Sequence, residues 1–232
     1  MHDRINSTQR PEALVRAPAS QVYKAILFDC DGVVLDSEAF GCGALGQAIS
    51  EAGHPMSTSE ATSIFSGNSI SACRAWMNNN GLDAERVMRR SDDVLFEMFD
   101  KSVPAIPNVN AVLNDFALRK AICSNSSIER LERSVGRTPL AAFFGKHIYS
   151  AEHVENAKPA PDLALYACRA LGVAPHEAIF IDDNMHGIRC AKDAGCLAVG
   201  FIGPTDHRKD QDAVLRTAGA DHVVYGMEEF YA

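Results

Sequence analysis

The sequence predicts an α/β fold: a doubly wound parallel sheet with a small α-helical domain inserted after the first strand. Three observations predict it. Short apolar runs at 25–28, 121–123, 147–149, 178–181, 197–202 and 222–225 alternate with stretches of helical spacing, as βαβ units do. A block from about 39 to 100 carries helical spacing and no convincing strand. Several of the apolar runs end in polar or acidic residues, and parallel α/β sheets hold ligands outside the carboxyl ends of their strands.

The elements follow in order. The run Ala25-Ile-Leu-Phe28 is cut off by Asp29 and Asp31, one residue apart, and then by Gly32, which tolerates positive φ. Two acids spaced by two leave a strand on the same side and can share a cation. A plain polar turn also fits this stretch taken alone. In the insertion, Leu45, Ile49 and Ala52, then residues 64–78, then 87–99 carry the helical spacing, about four helices in all, with Gly53-His-Pro55, Ser57-Thr-Ser59 and Asn78-Asn-Asn-Gly81 as turns and caps. Residues 109–118 read as a helix, and the strand 121–123 ends in Ser124-Asn-Ser-Ser127. Ser126 with Glu129 fits a capping box for the helix that follows. After the strand 147–149 comes a loop with Lys158-Pro-Ala-Pro161, where Pro161 suits the first position of a helix ending at Gly172. The run Ala178-Ile-Phe-Ile181 ends in Asp182-Asp183, and a helix over 187–194 stops at Gly195. A last helix is expected over 207–218. The expected division is a flexible leader at 1–21, a core of 22–38 and 103–232, and a helical cap at 39–102, whose connections near 36–40 and 102–107 would act as a hinge.

Composition narrows the function. With 47% hydrophobic and 22% charged residues in 232, the chain reads as an ordinary globular protein with room for a sizeable core. A net charge of −8 argues against nucleic acid as partner. No run is long enough for a membrane helix, and the polar first 22 residues lack the apolar segment of a secretory signal. The seven cysteines have no CxxC or metal-ligand spacing and are expected to be reduced, buried thiols of a cytoplasmic protein. Cys30, between the two aspartates, points to the opposite side of the strand and belongs to the core.

Asp29/Asp31, Ser124/Asn125, Lys158 and Asp182/Asp183 thus gather at one edge of the sheet. Four carboxylates together need a cation, and hard oxygen donors of this kind suit Mg²⁺ shared with a phosphate. Lys158 supplies a point charge for that phosphate or for a carboxylate, and Ser124 a hydroxyl. Taken singly, Ser124 and Asn125 read as a helix cap, Lys158 as a solvated lysine and Asp182-Asp183 as a turn; their joint placement gives them meaning.

Residues 28–38, Phe-Asp-Cys-Asp-Gly-Val-Val-Leu-Asp-Ser-Glu, resemble the first motif of the haloacid dehalogenase-like hydrolases, in their β-phosphoglucomutase and phosphatase-like branch. Ser124-Asn125, Lys158-Pro159 and Asp182-Asp-Asn-Met-His-Gly-Ile188 resemble the second to fourth motifs, in the same order, over about residues 22–230. The resemblance implies a Rossmann-like core with a helical cap. It implies Asp29 as the nucleophile that forms an aspartyl-phosphate, and Asp31 as the general acid and base whose main-chain carbonyl also meets the metal. It further implies Asp183 and Asp182 as Mg²⁺ ligands, with Ser124 and Lys158 as the phosphate-binding hydroxyl and the neutralising lysine. Gly32 and Asn125, with Gly67, Asn68 and Ser69 of the cap, are the expected substrate contacts. Arg74 is another candidate, although a solvated helix face suits it better.

Within the family, dehalogenases lack an acid at the position of Asp31. The mutase pattern has a His where this chain has Gly41 and an Arg where it has Ile70, and the cap stretch 39–99 has no lysine for phosphonatase chemistry. The expectation is therefore a Mg²⁺-dependent phosphatase acting on a small phosphorylated metabolite such as a sugar phosphate, as a monomer or weak dimer. A mutase is the alternative. A phospho-receiver module places its phosphorylated Asp on a later strand and has no helical insertion, and a silent binding protein would not need the full motif set.

Overall fold

The computed structural model describes residues 22–66, 68, 70–206 and 208–231. The expected leader, 1–21, lies outside them. The chain runs β1 (Ala25–Phe28), α1 (Glu38–Glu51), α2 (Thr58–Phe65), α3 (Ile70–Asn79), α4 (Ala84–Phe99), α5 (Val109–Asp115) and β2 (Arg119–Ser124). It continues with α6 (Ile128–Arg133), α7 (Ala141–Phe144), β3 (Ile148–Ser150), α8 (Asp162–Leu171), β4 (Ala178–Asp182), α9 (Met185–Ala194), β5 (Leu197–Ile202), α10 (Gln211–Ala218) and β6 (His222–Tyr225). Among the described residues the strands form one parallel sheet in the order β3-β2-β1-β4-β5-β6.

Both faces of this sheet are covered, which is why its strands read as nearly unbroken apolar runs. Ile26, Phe28, Ile122, Ile179, Ile181, Val199 and Phe201 point to one side, against Val109, Val112 and Leu113 of α5, Leu131 of α6 and Phe144 of α7. Leu27, Ala121, Cys123, Phe180 and Ala198 point to the other, against α8, α9 and α10. Cys30 follows the alternation into the first of these cores, and all seven cysteines are free and buried. Chain order reverses direction at β1, whose neighbours are β2 and β4. The carboxyl ends of β1 and β4 therefore flank the switch point, the crevice where such sheets bind ligands.

The insertion between β1 and α5 contains α1 to α4 and packs around its own apolar residues. Leu45, Ile49, Phe65, Met77 and Val87 form one cluster, and Ala44, Val94, Leu95 and Phe99 a second. Its two connections lie side by side: Asp36 donates its N–H to Pro104, and Ile106 to Val34, each at 3.0 Å.

Several boundaries differ from expectation. The stretch 64–78 is two helices, because the Asn68 side chain bonds back to the Ile64 carbonyl at 2.6 Å and its N–H to that of Phe65, closing α2. Ser57 caps α2 in a capping box with Glu60. β2 begins at Arg119, since parallel pairing with Ala25 and Ile26 needs only backbone, and the exposed Arg119 side chain reaches the Leu171 carbonyl at 2.6 Å. Pro161 precedes α8 as its cap residue instead of opening it. The last helix starts at Gln211 and not near 207, because Asp210 adopts a left-handed backbone (φ 56°). The expected box of Ser126 with Glu129 is absent: Ser127 caps α6, accepting from the Arg130 N–H at 3.2 Å, and Ser126 is engaged elsewhere.

Candidate active site

Asp29 is the first residue past β1. Its N–H still pairs with the Ile181 carbonyl at 2.9 Å, so its position is set by the sheet. Gly32 turns the chain away with φ +80°, and a Cβ there would lie 2.6 Å from Asp183 Oδ2. Only glycine gives both the left-handed backbone and that close approach. Asp182 ends β4 and is fully buried. Room for it comes from Gly187 on α9, where a Cβ would fall 1.7 Å from Asp182 Oδ2.

Lys158 joins the two strand ends. Its Nζ donates to Asp29 Oδ1 at 2.9 Å, to Asp182 Oδ2 at 2.8 Å and to the Cys123 carbonyl at 3.0 Å. All three of its donors are thereby used, in a site where the lysine side chain is 4% exposed. Burial alone would lower the Lys158 pKa, but Asp182 and Asp29 outweigh it and hold the ammonium charged. Asn125 fixes the loop that carries the lysine: its amide donates to the Lys158 carbonyl at 2.9 Å and accepts the Lys158 N–H at 3.0 Å. An amide so engaged at both ends positions Lys158, a different task from the expected contact with substrate. Ser124 is buried, and its Oγ accepts the Ser126 N–H at 3.1 Å.

The carboxylates divide into two groups. Asp29, Asp182 and Asp183 offer oxygen atoms that all lie within 4.8 Å of one another. The Asp31 carboxylate stands apart, with Arg130 Nη2 at 3.1 Å and the Ser126 hydroxyl at 2.8 Å, and the Ser37 hydroxyl also donates to it. The two acids after β1 therefore do not face one cation through their side chains, because the turn at Gly32 and these three donors take Asp31 aside. Burial raises the Asp31 pKa, but Arg130 and the hydroxyls of Ser37 and Ser126 prevail and bring it below the usual carboxylate value. For Asp29 burial wins: its pKa stands well above the usual value despite Lys158, with Asp182 and Asp183 adding to the rise. Asp183 is pushed up to about 7, by burial first and by Asp182, against the pull of Arg208.

This crowding tests the site for a metal. Three converging carboxylates meet Lys158 and, at Asp183, an Arg208 that Asp206 also engages, and two of the three are hard to ionise as they stand. Hard oxygen donors short of positive charge suit a small divalent cation that keeps water and substrate oxygens in its remaining positions. The residues present fit Mg²⁺.

Of the cap residues, Asn68 bonds to its own helix, and Gly67 and Ser69 lie outside the described residues. Arg74 pairs with Glu85 at 2.9 Å on an exposed face. Sequence reasoning missed Arg130, Arg208 and Ser126. Ser126 had a signal, since it stands two residues past Ser124 on a strand end, whereas the arginines are marked by nothing but charge.

The chain is similar to several known proteins. In Escherichia coli K12, 6-phosphogluconate phosphatase is 26% identical over 192 residues, which cover 80% of this chain and 85% of that one. A conserved haloacid dehalogenase-like protein from Agrobacterium tumefaciens C58 superposes with a TM-score of 0.75 at 31% identity, covering 87% of this chain and 93% of the other. A hydrolase of the same family from Deinococcus radiodurans R1, solved with phosphate and sodium, has a TM-score of 0.72 at 26% identity, with 88% and 91% covered. The pattern of the haloacid dehalogenase-like hydrolase family matches residues 26–201, from within β1 to within β5, and the chain belongs to that family.

Proposed function

We propose that this protein is a Mg²⁺-dependent phosphatase that hydrolyses a small phosphorylated metabolite, a sugar phosphate or similar, through an aspartyl-phosphate on Asp29. One observation carries the reading: a buried lysine ties the Asp29 carboxylate to Asp182, with Asp183 beside them, at the switch point of the sheet. The phosphatase activity of the Escherichia coli relative and the phosphate in the Deinococcus structure support it.

Asp29 attacks phosphorus, the bond from phosphorus to the ester oxygen breaks, and Asp31 gives that oxygen a proton. Water then attacks the aspartyl-phosphate while Asp31 takes a proton from it, releasing phosphate and restoring Asp29. As it stands, Asp31 is ionised by its three donors, the form needed for the second step. For the first step their hold must loosen as the ester oxygen comes in, so that Asp31 takes up a proton from solvent and passes it to that oxygen. Lys158 keeps Asp29 oriented and offsets charge on the phosphoryl group, and the Ser124 hydroxyl would bind it. Asp29, Asp182 and Asp183, with the Asp31 main-chain carbonyl, would hold Mg²⁺, which supplies further stabilisation of charge on the transferring oxygens. Helices α1 to α4 act as a cap over this crevice, hinged where 34–36 and 104–106 run together.

The test is release of phosphate from p-nitrophenyl phosphate and from a panel of sugar phosphates and phosphorylated acids, with and without Mg²⁺. Mg²⁺-dependent turnover that incorporates solvent oxygen into phosphate is expected. No turnover across the panel, or isomerisation of a sugar phosphate in place of hydrolysis, would overturn the reading.

A further inference from the structure

Asp183 lies just beyond β4, where the sheet no longer fixes it, yet its carboxylate must hold one orientation to serve in the cluster. The connection between β5 and α10 supplies the missing constraint. Arg208 Nη2 donates to Asp183 Oδ2 at 2.6 Å and to the Asp183 carbonyl at 3.0 Å, and Gln211 Nε2 donates to the same carbonyl at 2.5 Å. The backbone and the side chain of Asp183 are thus held together from one side. On the other side the carboxylate rests against Gly32. Arg208 is itself braced by Asp206, whose Oδ1 accepts from Arg208 Nε at 2.9 Å and whose Oδ2 accepts from Nη2 at 2.7 Å. The Asp206 side chain is 6% exposed and that of Arg208 15%.

This brace decides what the guanidinium does. An unpaired arginine beside a cation site would compete with the cation. Here Asp206 shares the charge of Arg208 and fixes its guanidinium, so Asp183 meets a braced donor that engages its Oδ2. Donors behind a metal-binding carboxylate commonly set its orientation, and their loss weakens metal binding about 10–100-fold.

We propose that Arg208, braced by Asp206 and aided by Gln211, is a positioning residue that sets Asp183 for divalent-cation binding. The inference rests on the reading of Asp183 as a Mg²⁺ ligand. Arg208 lies in the β5–α10 connection and Gln211 at the start of α10, both beyond residue 201, where the family match ends.

Calorimetric titration of the full chain with Mg²⁺ alone, without substrate, tests it. Arg208→Met is expected to raise the Mg²⁺ dissociation constant about 10–100-fold. Arg208→Lys, which keeps the charge but not the fork, should fall nearly as far. Gln211→Leu leaves the ion pairs in place and should weaken binding by a smaller factor, which keeps the idea testable if Arg208→Met does not fold. Phosphatase turnover of the variants should recover as Mg²⁺ is raised, which a general loss of structure would not allow. Unchanged or tighter Mg²⁺ binding in Arg208→Met, or full affinity in Arg208→Lys, overturns the inference while leaving the site reading intact. No Mg²⁺ binding by the unsubstituted protein overturns both.

Discussion

The crevice at the strand ends and the helical insertion beside it are held together by opposite means. In the crevice, buried and half-buried charges are fixed by short contacts: Lys158 spans Asp29 and Asp182, Arg208 holds Asp183, and Arg130 with two serines holds Asp31. In the insertion, Leu45, Ile49, Met77 and Val87 pack together, Phe65 meets Trp76 edge-on, and the ion pairs Arg74–Glu85 and Arg90–Glu51 stay exposed. The difference separates two tasks. Chemistry on phosphorus needs charges that are in place before substrate arrives, so the crevice tolerates little change. A packed helical unit with polar residues outside can change its surface without losing its core.

The largest effect should come from the crevice. Asp29→Asn is expected to lower turnover by about 10⁴-fold or more while the fold persists, because Lys158 keeps Asp182; phosphate release and thermal melting measure both, and retained turnover would remove Asp29 as nucleophile. Next is Lys158→Met. Breaking a buried pair costs about 3–5 kcal/mol, so denaturant unfolding should show a loss of that order together with lost activity, and a change below about 1 kcal/mol would mean the pair behaves as a surface contact. Gly32→Ala combines a left-handed backbone with a Cβ 2.6 Å from Asp183 Oδ2. It should cost about 1–3 kcal/mol and weaken Mg²⁺ binding, and wild-type values for both would show that the turn relaxes freely.

Effects should shrink in the insertion. Asn68→Ala is expected to change KM by about 2–10-fold for the preferred ester and to leave kcat on p-nitrophenyl phosphate unaltered; a large loss on p-nitrophenyl phosphate would place Asn68 with the chemistry instead. The smallest effect is at Glu51, whose carboxyl is lowered from 4.5 to about 2 by hydrogen bonds from Arg90 and Gln47. A carboxylate with a depressed folded-state pKa stabilises above its ordinary value and loses that contribution as pH falls towards the folded one. The melting difference between the wild type and Glu51→Gln should therefore be present at pH 7 and shrink between about pH 4.5 and 2, and a difference that persists at pH 2 would exclude the ion pair as its source.

Much of the site was legible because its acids stand at strand ends, where apolar runs stop abruptly. Asp29, Asp182 and Asp183 converge for that reason. Asn125 was legible as a member of the site but not in its task, since only the folded chain shows its amide clasping the backbone of Lys158. The same holds for Ser126, which looked like a helix cap and instead donates to Asp31.

Local sequence by itself determined the parallel α/β sheet, its helical interruption and the placing of the acids, because the apolar period and the polar punctuation are properties of neighbouring residues. Tertiary structure alone decided which charge meets which. Arg130 lies 99 residues from Asp31, and Arg208 lies 25 from Asp183. Partners so far apart are chosen by strand order and by the paths of the connecting loops, and no local pattern of residues encodes either.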